Sequence, residues 1–513
     1  MRSLCFTLAV LLAVVPAIIA AADWPHYRGP AGDGSSPEPI RTDWSARSPR
    51  VVWKRAIEPA WSSITVAGGR AFTQVNRRIG GQQREVCIAL DTASGAELWA
   101  TEVDQALYPD AGTGNTDGPR STPTVAGDRV YVLTSYLRLH CLRADTGQIV
   151  WTRDFLAEFP GTEVIRWQNA ASPLVVGDRI FLNSNVANQR LMAVRASDGT
   201  TLWSGQNDTM THASPVQATL GGIPQVVFVT SRGTLGLSPE TGDVLWRYGF
   251  TPTSTSIAAS PVVSGDIVYA SCAYALGAWT AKVTRSGSTF SVGQTDFKRS
   301  SAYQNHWATP VPHEGHLYSV VERGSRSLSC FSLAGRTNTW ITSTVGSGNP
   351  GYGSLIKVGG KLVVLTERGE LVLVEPDPAA YSEIARYQAL SGTSWNHPAF
   401  SNGRLYARSN LEIVSLDLGA EPTPLPPLRL AAEMLPGTGR LTLRVTSTGA
   451  QALGAPEAPR IRLETAGIPS GAPPVWRATV LRFLATPAGG ALEAVMDAPA
   501  ESLLLRVAEG PQP

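Results

Sequence analysis

Past its first residues the chain sets apolar positions in short runs, some alternating with polar residues and some unbroken. Glycine, proline, asparagine or aspartate interrupts them every few positions, and no stretch keeps the periodicity of an amphipathic helix. Three segments show the unit: CIALDTASGAELW (87–99), LHCLRADTGQIVW (139–151) and LMAVRASDGTTLW (191–203). Each predicts strand, tight turn, strand. The closing tryptophan recurs at Trp53, Trp99, Trp151, Trp203, Trp246 and Trp340, at spacings of 46, 52, 52, 43 and 94. The last interval holds two periods, so a degraded copy is expected around Ser291 to Phe297, and the next period falls on Tyr387 as an aromatic stand-in. Eight copies follow.

Fixed companions accompany each tryptophan. Gly95, Gly147, Gly199 and Gly242 sit four residues before it, where a two-residue hairpin calls for positive φ. Ten residues before it stand Ala89, Cys141, Ala193, Gly236 and Cys330, all small, so the indole is expected to fill space between neighbouring sheets. Units open on Ser121-Thr122-Pro123, Ser172-Pro173, Ser214-Pro215, Ser260-Pro261 and Thr309-Pro310. Ser62-Ser63, Gly353-Ser354 and His397-Pro398 are weaker forms, and a Gly-Asp or Gly-Gly turn such as Gly127-Asp128 follows.

Four-stranded antiparallel units of about 45 residues predict an all-β, eight-bladed β-propeller. RVVWKRAI (50–57) offers an outer strand before any inner one, and the last copy, Trp395 to Leu418, ends without one. The N-terminal segment is therefore expected to complete the final blade. The propeller covers 23–420, a stiff Pro-rich linker 421–427, and alternating segments in 428–513 predict a small C-terminal β-sandwich-like module.

Composition agrees with repeats: 513 residues exceed one compact core, glycine (49) and proline (37) abound, and charged residues make up 16%. Arg2 followed by an apolar run from Leu4 to Ile19 and by Ala20 to Ala22 reads as a signal peptide over 1–22, which places the protein in the periplasm or outside the cell. Cys5 precedes the cleavage point, so no lipid anchor is expected, and no later stretch is apolar for long enough to span a membrane. The net charge of +2 implies no nucleic-acid partner. Cys141 and Cys330 fall at core positions; whether they, Cys87 and Cys272 pair is open.

Ala89, Asp91, Gly95 and Trp99 resemble the PQQ-like (pyrrolo-quinoline quinone) propeller repeat, Ala-x-Asp-x-x-Thr-Gly-x-x-x-Trp, and Trp24 to Pro30 resembles the WPxxRGP opening of secreted bacterial members. The resemblance spans roughly residues 23–420 and allows two readings. One is a non-enzymatic binding or scaffold protein with a protein or carbohydrate partner; the other is a dehydrogenase dependent on PQQ and calcium. The dehydrogenases typically carry adjacent cysteines and some carry a CxxCH haem site, and this chain has neither. The expectation is a monomeric binding protein with no cofactor and no catalytic or metal residues.

Residues just before each inner strand ring the channel mouth: Trp61, Arg120, Asn169, His212, His306, Trp307, Tyr352, Trp395, Asn396 and His397. Such a set either stacks a planar or sugar ligand, with Arg120 neutralising an anion, or plugs the channel by bonding to itself. His313 and His316 lie in a predicted turn and lack the spacing of a helical zinc site. Two insertions stand out: 104–119, a calcium-binding, partner-contacting or plain surface loop, and 156–168, in which Trp167 is a candidate for recognition.

Overall fold

The computed structural model describes residues 23–109, 117–249, 257–274, 276–324 and 326–420, with strands between 428 and 509. Residues 1–22, expected to be a signal peptide, residues 110–116 of the first insertion and the segment 421–427 lie outside the described residues. Asp23–Ala420 forms one compact unit, and the strands beyond the linker belong to another.

The first unit consists of eight antiparallel sheets. Blade 1 runs from its inner strand Thr65–Ala67 through Arg70–Ile79 and Gln82–Asp91 to the outer strand Glu97–Gln105. Blades 2 to 7 repeat this order over 124–154, 174–205, 216–249, 262–298, 311–342 and 354–388. Blade 8 takes three strands from 399–417 and its outer strand from Arg50–Ala56, so strands from the two ends of the unit share one sheet. Inner strands touch between blades 1 and 2, 2 and 3, 3 and 4, 5 and 6, and 6 and 7. The inner strand of blade 4 touches the third strand of blade 5, Ser354 Oγ of blade 7 donates to the Asn396 carbonyl at the entry to blade 8, and the inner strand of blade 8 touches that of blade 1, closing the ring. Middle strands, packed on both faces, are unbroken apolar runs such as Leu362–Leu365, all buried. Outer strands face solvent, and in Arg50–Ala56 only Trp53 is buried.

The repeated tryptophan joins neighbouring blades. Its small companion is its direct cross-strand partner, Ala89 opposite Trp99 and Cys141 opposite Trp151, with a register shift beside each pair. The small side chain thus makes room within one sheet, rather than between two, and the indole reaches the next blade. Trp53 Nε1 donates to the Thr92 carbonyl at 2.9 Å, Trp99 to Ala144 at 3.0 Å, Trp151 to Ala196 at 3.1 Å and Trp340 to Asp377 at 2.9 Å. The glycine lies under that ring: a Cβ on Gly95 would meet Trp53 at 2.6 Å. Its turn is longer than a two-residue hairpin, because Asp91 N–H donates to the Ala96 carbonyl and Gly95 N–H to that of Asp91, although φ is positive as expected.

The blade 5 copy has its outer strand at Thr289–Lys298. Its third and outer strands are ten residues long, and Trp246 bonds within its own blade, to Gln225 Oε1 at 2.6 Å. The stand-in expected at Tyr387 is not in the tryptophan position. Beside the register shift of blade 7 the residue opposite Leu373 is Ala385. Blade 8 draws its outer strand from elsewhere in the chain, so it has no third-to-outer turn to receive an indole.

The openings of the units carry a second circle. His397 N–H donates to Ser63 Oγ (2.9 Å), Ser63 N–H to Thr122 Oγ1 (3.0 Å), Thr122 N–H to Ser172 Oγ (2.9 Å), and Ser172 N–H to Ser214 Oγ (2.9 Å). Ser260 N–H likewise donates to Thr309 Oγ1 at 2.9 Å. In five of the blades the hydroxyl before the inner strand, that of Ser63, Thr122, Ser172, Ser214 or Thr309, therefore satisfies a buried amide of the preceding blade; in blade 7 Ser354 Oγ instead donates to the Asn396 carbonyl.

The N-terminal segment straps the channel. Trp24 exchanges backbone bonds with Val66 of blade 1, Val125 N–H of blade 2 donates to the Pro25 carbonyl, and Arg28 Nη2 donates to the Pro310 carbonyl of blade 6 at 2.7 Å. Ser35–Ser36 then pairs in parallel with Lys357 and Val358 of blade 7.

All four described cysteines are free and buried. His313 and His316 flank the expected turn. Among the described residues no helix is long and apolar enough to cross a membrane. The second unit has a four-stranded and a three-stranded antiparallel sheet, and Leu428–Leu435 adds a strand directly after the linker.

Candidate functional site

In a four-stranded antiparallel blade, the segment entering the inner strand and the loop between the second and third strands emerge on the same face. On that face a cavity of about 450 Å³ is lined by Trp61, Arg120, His212, His306, Trp307, Tyr352, Trp395 and His397, eight of the ten residues expected at the mouth.

Asn169 and Asn396 are corrections to that expectation. Asn169 is fully buried, its amide donating to the Thr134 and Ala171 carbonyls and accepting from Ala171 N–H. Asn396 is 1% exposed and donates to the Ser62 carbonyl at 2.7 Å, bracing blade 8 on blade 1. Short amides in the segment entering an inner strand serve the backbone there.

Tyr27, Asp117, Trp167 and Tyr274 also line the cavity. Tyr27 comes from the strap and meets His397 edge-on, with ring centroids 5.3 Å apart. Trp167 comes from the 156–168 insertion, which opens with the short helix Phe155–Glu158. Tyr274 follows the second strand of blade 5. Loops between second and third strands share the mouth by topology alone, and that is the signal by which Tyr274 could have been found.

The rings form a continuous arc. Trp61 stacks on Trp395 with centroids 4.2 Å apart and planes at 28°. Trp395 meets Trp307 at 4.7 Å, Trp307 meets Tyr352 at 4.6 Å and His306 at 4.2 Å, and His306 meets Tyr274 at 5.0 Å. Trp167 extends the arc to Tyr274 and to His212, each at 6.3 Å.

Carboxylates hold the ring edges. Trp61 Nε1 donates to Asp117 Oδ1 at 3.0 Å, Trp395 Nε1 to Glu367 Oε1 at 2.7 Å, and His306 Nδ1 pairs with Glu322. Trp307 Nε1 uses the Tyr352 carbonyl at 3.2 Å. With these N–H groups engaged, the indoles offer their faces to a ligand. Arg120 is paired with Asp117 at 2.8 Å, and Asp117 also accepts from Gly118 N–H. Burial, and then the nearby Arg120 charge, push His212 down to about 3; burial and Arg28 do the same to His397. Both imidazoles are neutral at physiological pH. Burial alone would raise the Glu322 carboxyl, but the hydrogen bond and charge of His306 hold it below the usual range.

A family model described as the outer membrane protein assembly factor BamB matches residues 42–135 and 82–342, more than half of the chain. The chain belongs to this family. A curated BamB of Moranella endobia (strain PCIT) is 26% identical over 203 residues, 36% of this chain and 46% of that relative. The chain thus spans about half the length of the curated relative it matches. Among solved structures, the quinohemoprotein alcohol dehydrogenase of Comamonas testosteroni superposes with a TM-score of 0.57 at 12% identity, over 82% of this chain and 84% of that one. BamB from Moraxella catarrhalis gives 0.49 at 15% identity, over 72% and 98%. At such identities the likeness to the dehydrogenase concerns the fold alone.

Because the fold is shared with quinoproteins, the cup can be weighed against PQQ and calcium. Calcium takes about six to eight oxygen ligands, several of them carboxylate. Among the described residues Asp117 is the one carboxylate lining the cavity, and its oxygens already serve Trp61, Gly118 and Arg120. Among the described residues no cluster of three or more potential metal-ligating side chains occurs. A polyanionic quinone would meet a single lining arginine whose charge is already matched. These residues do not fit the pair.

Proposed function

We propose that this BamB-family chain is an extracytoplasmic, non-enzymatic binding or scaffold protein that recognises a protein or carbohydrate partner at the aromatic cup. The observation that carries this reading is that the cup's carboxylates are spent on fixing rings. Asp117 holds Trp61, Glu367 holds Trp395 and Glu322 holds His306. A general acid or base needs a proton position open to substrate, whereas these groups build a rigid recognition surface. Secretion is supported by the apolar segment after Arg2.

The test is reconstitution of the full chain with PQQ and calcium, followed by gel filtration and a dye-linked alcohol-oxidation assay. The expected result is no turnover and no cofactor comigrating with protein. Turnover, or stoichiometric retention of the quinone, overturns the proposal in favour of a quinoprotein dehydrogenase.

A further inference from the structure

The cup has two unlike kinds of lining. Blades 6 to 8 supply Trp307, Tyr352 and Trp395, whose faces pack side by side. Blades 2 and 4 supply Asp117, Arg120 and Ser214. The cup is therefore mostly ringed by aromatic side chains, the arc reaching round to Trp167 and His212, with one polar patch at Arg120, Asp117 and Ser214. The size, about 450 Å³, falls in the range of small-molecule sites. That volume admits one or a few rings.

The lining also carries almost no net charge. Arg120 is matched by Asp117, and burial keeps His212 and His397 unprotonated at neutral pH. An anion or cation entering it would lose hydration without an unpaired counter-charge to replace it.

Resting on the binding reading above, we propose that the cup takes a neutral pyranose unit of an oligosaccharide, its C–H face on Trp307 and Trp395 and its hydroxyl edge toward Arg120, whose Nη1 has no hydrogen-bond partner among the described residues. A pyranose is itself two-sided, with an apolar face of axial hydrogens and a rim of hydroxyls that donate and accept. An aromatic peptide side chain would match the rings but return at most one hydrogen bond from its side chain to the polar patch, where a pyranose edge offers several hydroxyls. The occupant chosen is therefore the one that satisfies both the rings and the patch.

The experiment titrates the full chain with three neutral probes, maltotriose, cellotriose and chitotriose, and two counter-probes, trigalacturonate and the peptide Gly-Trp-Gly. Intrinsic tryptophan fluorescence and calorimetry read the binding. At least one neutral trisaccharide is expected to bind. Trp395→Ala is expected to weaken it at least about tenfold, and Trp395→Phe to restore most of the loss. Tyr274→Ser, at a rim residue 53% exposed and safe for folding, is a second variant expected to weaken binding several-fold.

Failure of all three sugars at about 10 mM, far weaker than usual specific recognition, overturns the proposal. Sugar binding that survives Trp395→Ala and Tyr274→Ser in folded protein overturns it too, by placing the site elsewhere. If only a counter-probe binds and the same variants abolish it, the sugar assignment is wrong while the binding cup stands. If no probe responds to either variant, both fall.

Discussion

At the scale of the residue, the repeat's glycines divide into two kinds that the sequence prints alike. Gly147 has φ +72°, and a Cβ there would come within 2.6 Å of the Trp99 ring; Gly127 has φ +58° and nothing within 4 Å. Both positions penalise a side chain through left-handed backbone, but only one also blocks an indole. Gly127→Ala is expected to cost about 1 kcal/mol, and Gly147→Ala roughly 2 to 4 kcal/mol, in urea denaturation. Equal losses would show that the glycine serves the turn and not the neighbouring blade. The same scale explains Asn169 and Asn396. Their type suggested a ligand-binding edge, yet nothing in the local sequence separates an amide that faces a cavity from one that bonds backbone. That choice depends on side-chain direction, which the packing of two blades sets.

At the scale of the element, the serine or threonine before each inner strand looked like punctuation ahead of proline. At Ser63, Thr122, Ser172, Ser214 and Thr309 its hydroxyl instead receives an amide of the previous blade, as Ser172 Oγ does from Thr122 N–H at 2.9 Å. Ser172→Ala is expected to strand that buried amide and cost about 1 to 3 kcal/mol, while Ser172→Thr keeps the acceptor and loses less. Chemical denaturation of the two variants side by side checks it, and indistinguishable midpoints would remove the hydroxyl circle from the account. Blade 7 adds the complementary case. Its outer strand carries Ala385 in the tryptophan position, because the next blade is closed by the strand Arg50–Ala56 and offers no turn for an indole to reach.

At the scale of the whole molecule, stability should carry a pH signature from imidazoles sealed between blades. His140 Nε2 pairs with the Val103 carbonyl and Nδ1 with Thr152 Oγ1, both at 2.8 Å. Burial pushes this histidine down to about 4, the Val103 carbonyl opposes the shift, and Arg138 adds to it. The unfolded imidazole takes up its proton near pH 6.5, the folded one only near 4. Stability is therefore lost as pH falls through that window, by roughly 3 kcal/mol from this one group. Glu85 has the opposite sign. Burial raises it to about 7 despite hydrogen bonds from Ser135 and Tyr108, so its penalty is relieved as pH drops from 7 toward its ordinary value. The clean readout is thus a difference: unfolding free energy of His140→Gln should fall less steeply between about pH 6.5 and 4 than that of the natural chain. Parallel curves would sink the argument.

What the sequence determined alone was the periodic part. Strand and turn chemistry, eight copies, and an outer strand supplied before any inner one all follow from spacings along the chain, because each blade is a local unit meeting the same neighbours. It also placed most of the cup, since entry into an inner strand is a fixed position in every copy. Only the tertiary structure decided which of those residues face the cavity. It also revealed that Tyr27 closes in from the strap, that Tyr274 joins the mouth from an intervening loop, and that Asp117, Glu367 and Glu322 pin the rings. Those partners lie tens to hundreds of positions apart, or belong to different blades, and a one-dimensional period carries no record of which side chain meets which across a closed ring.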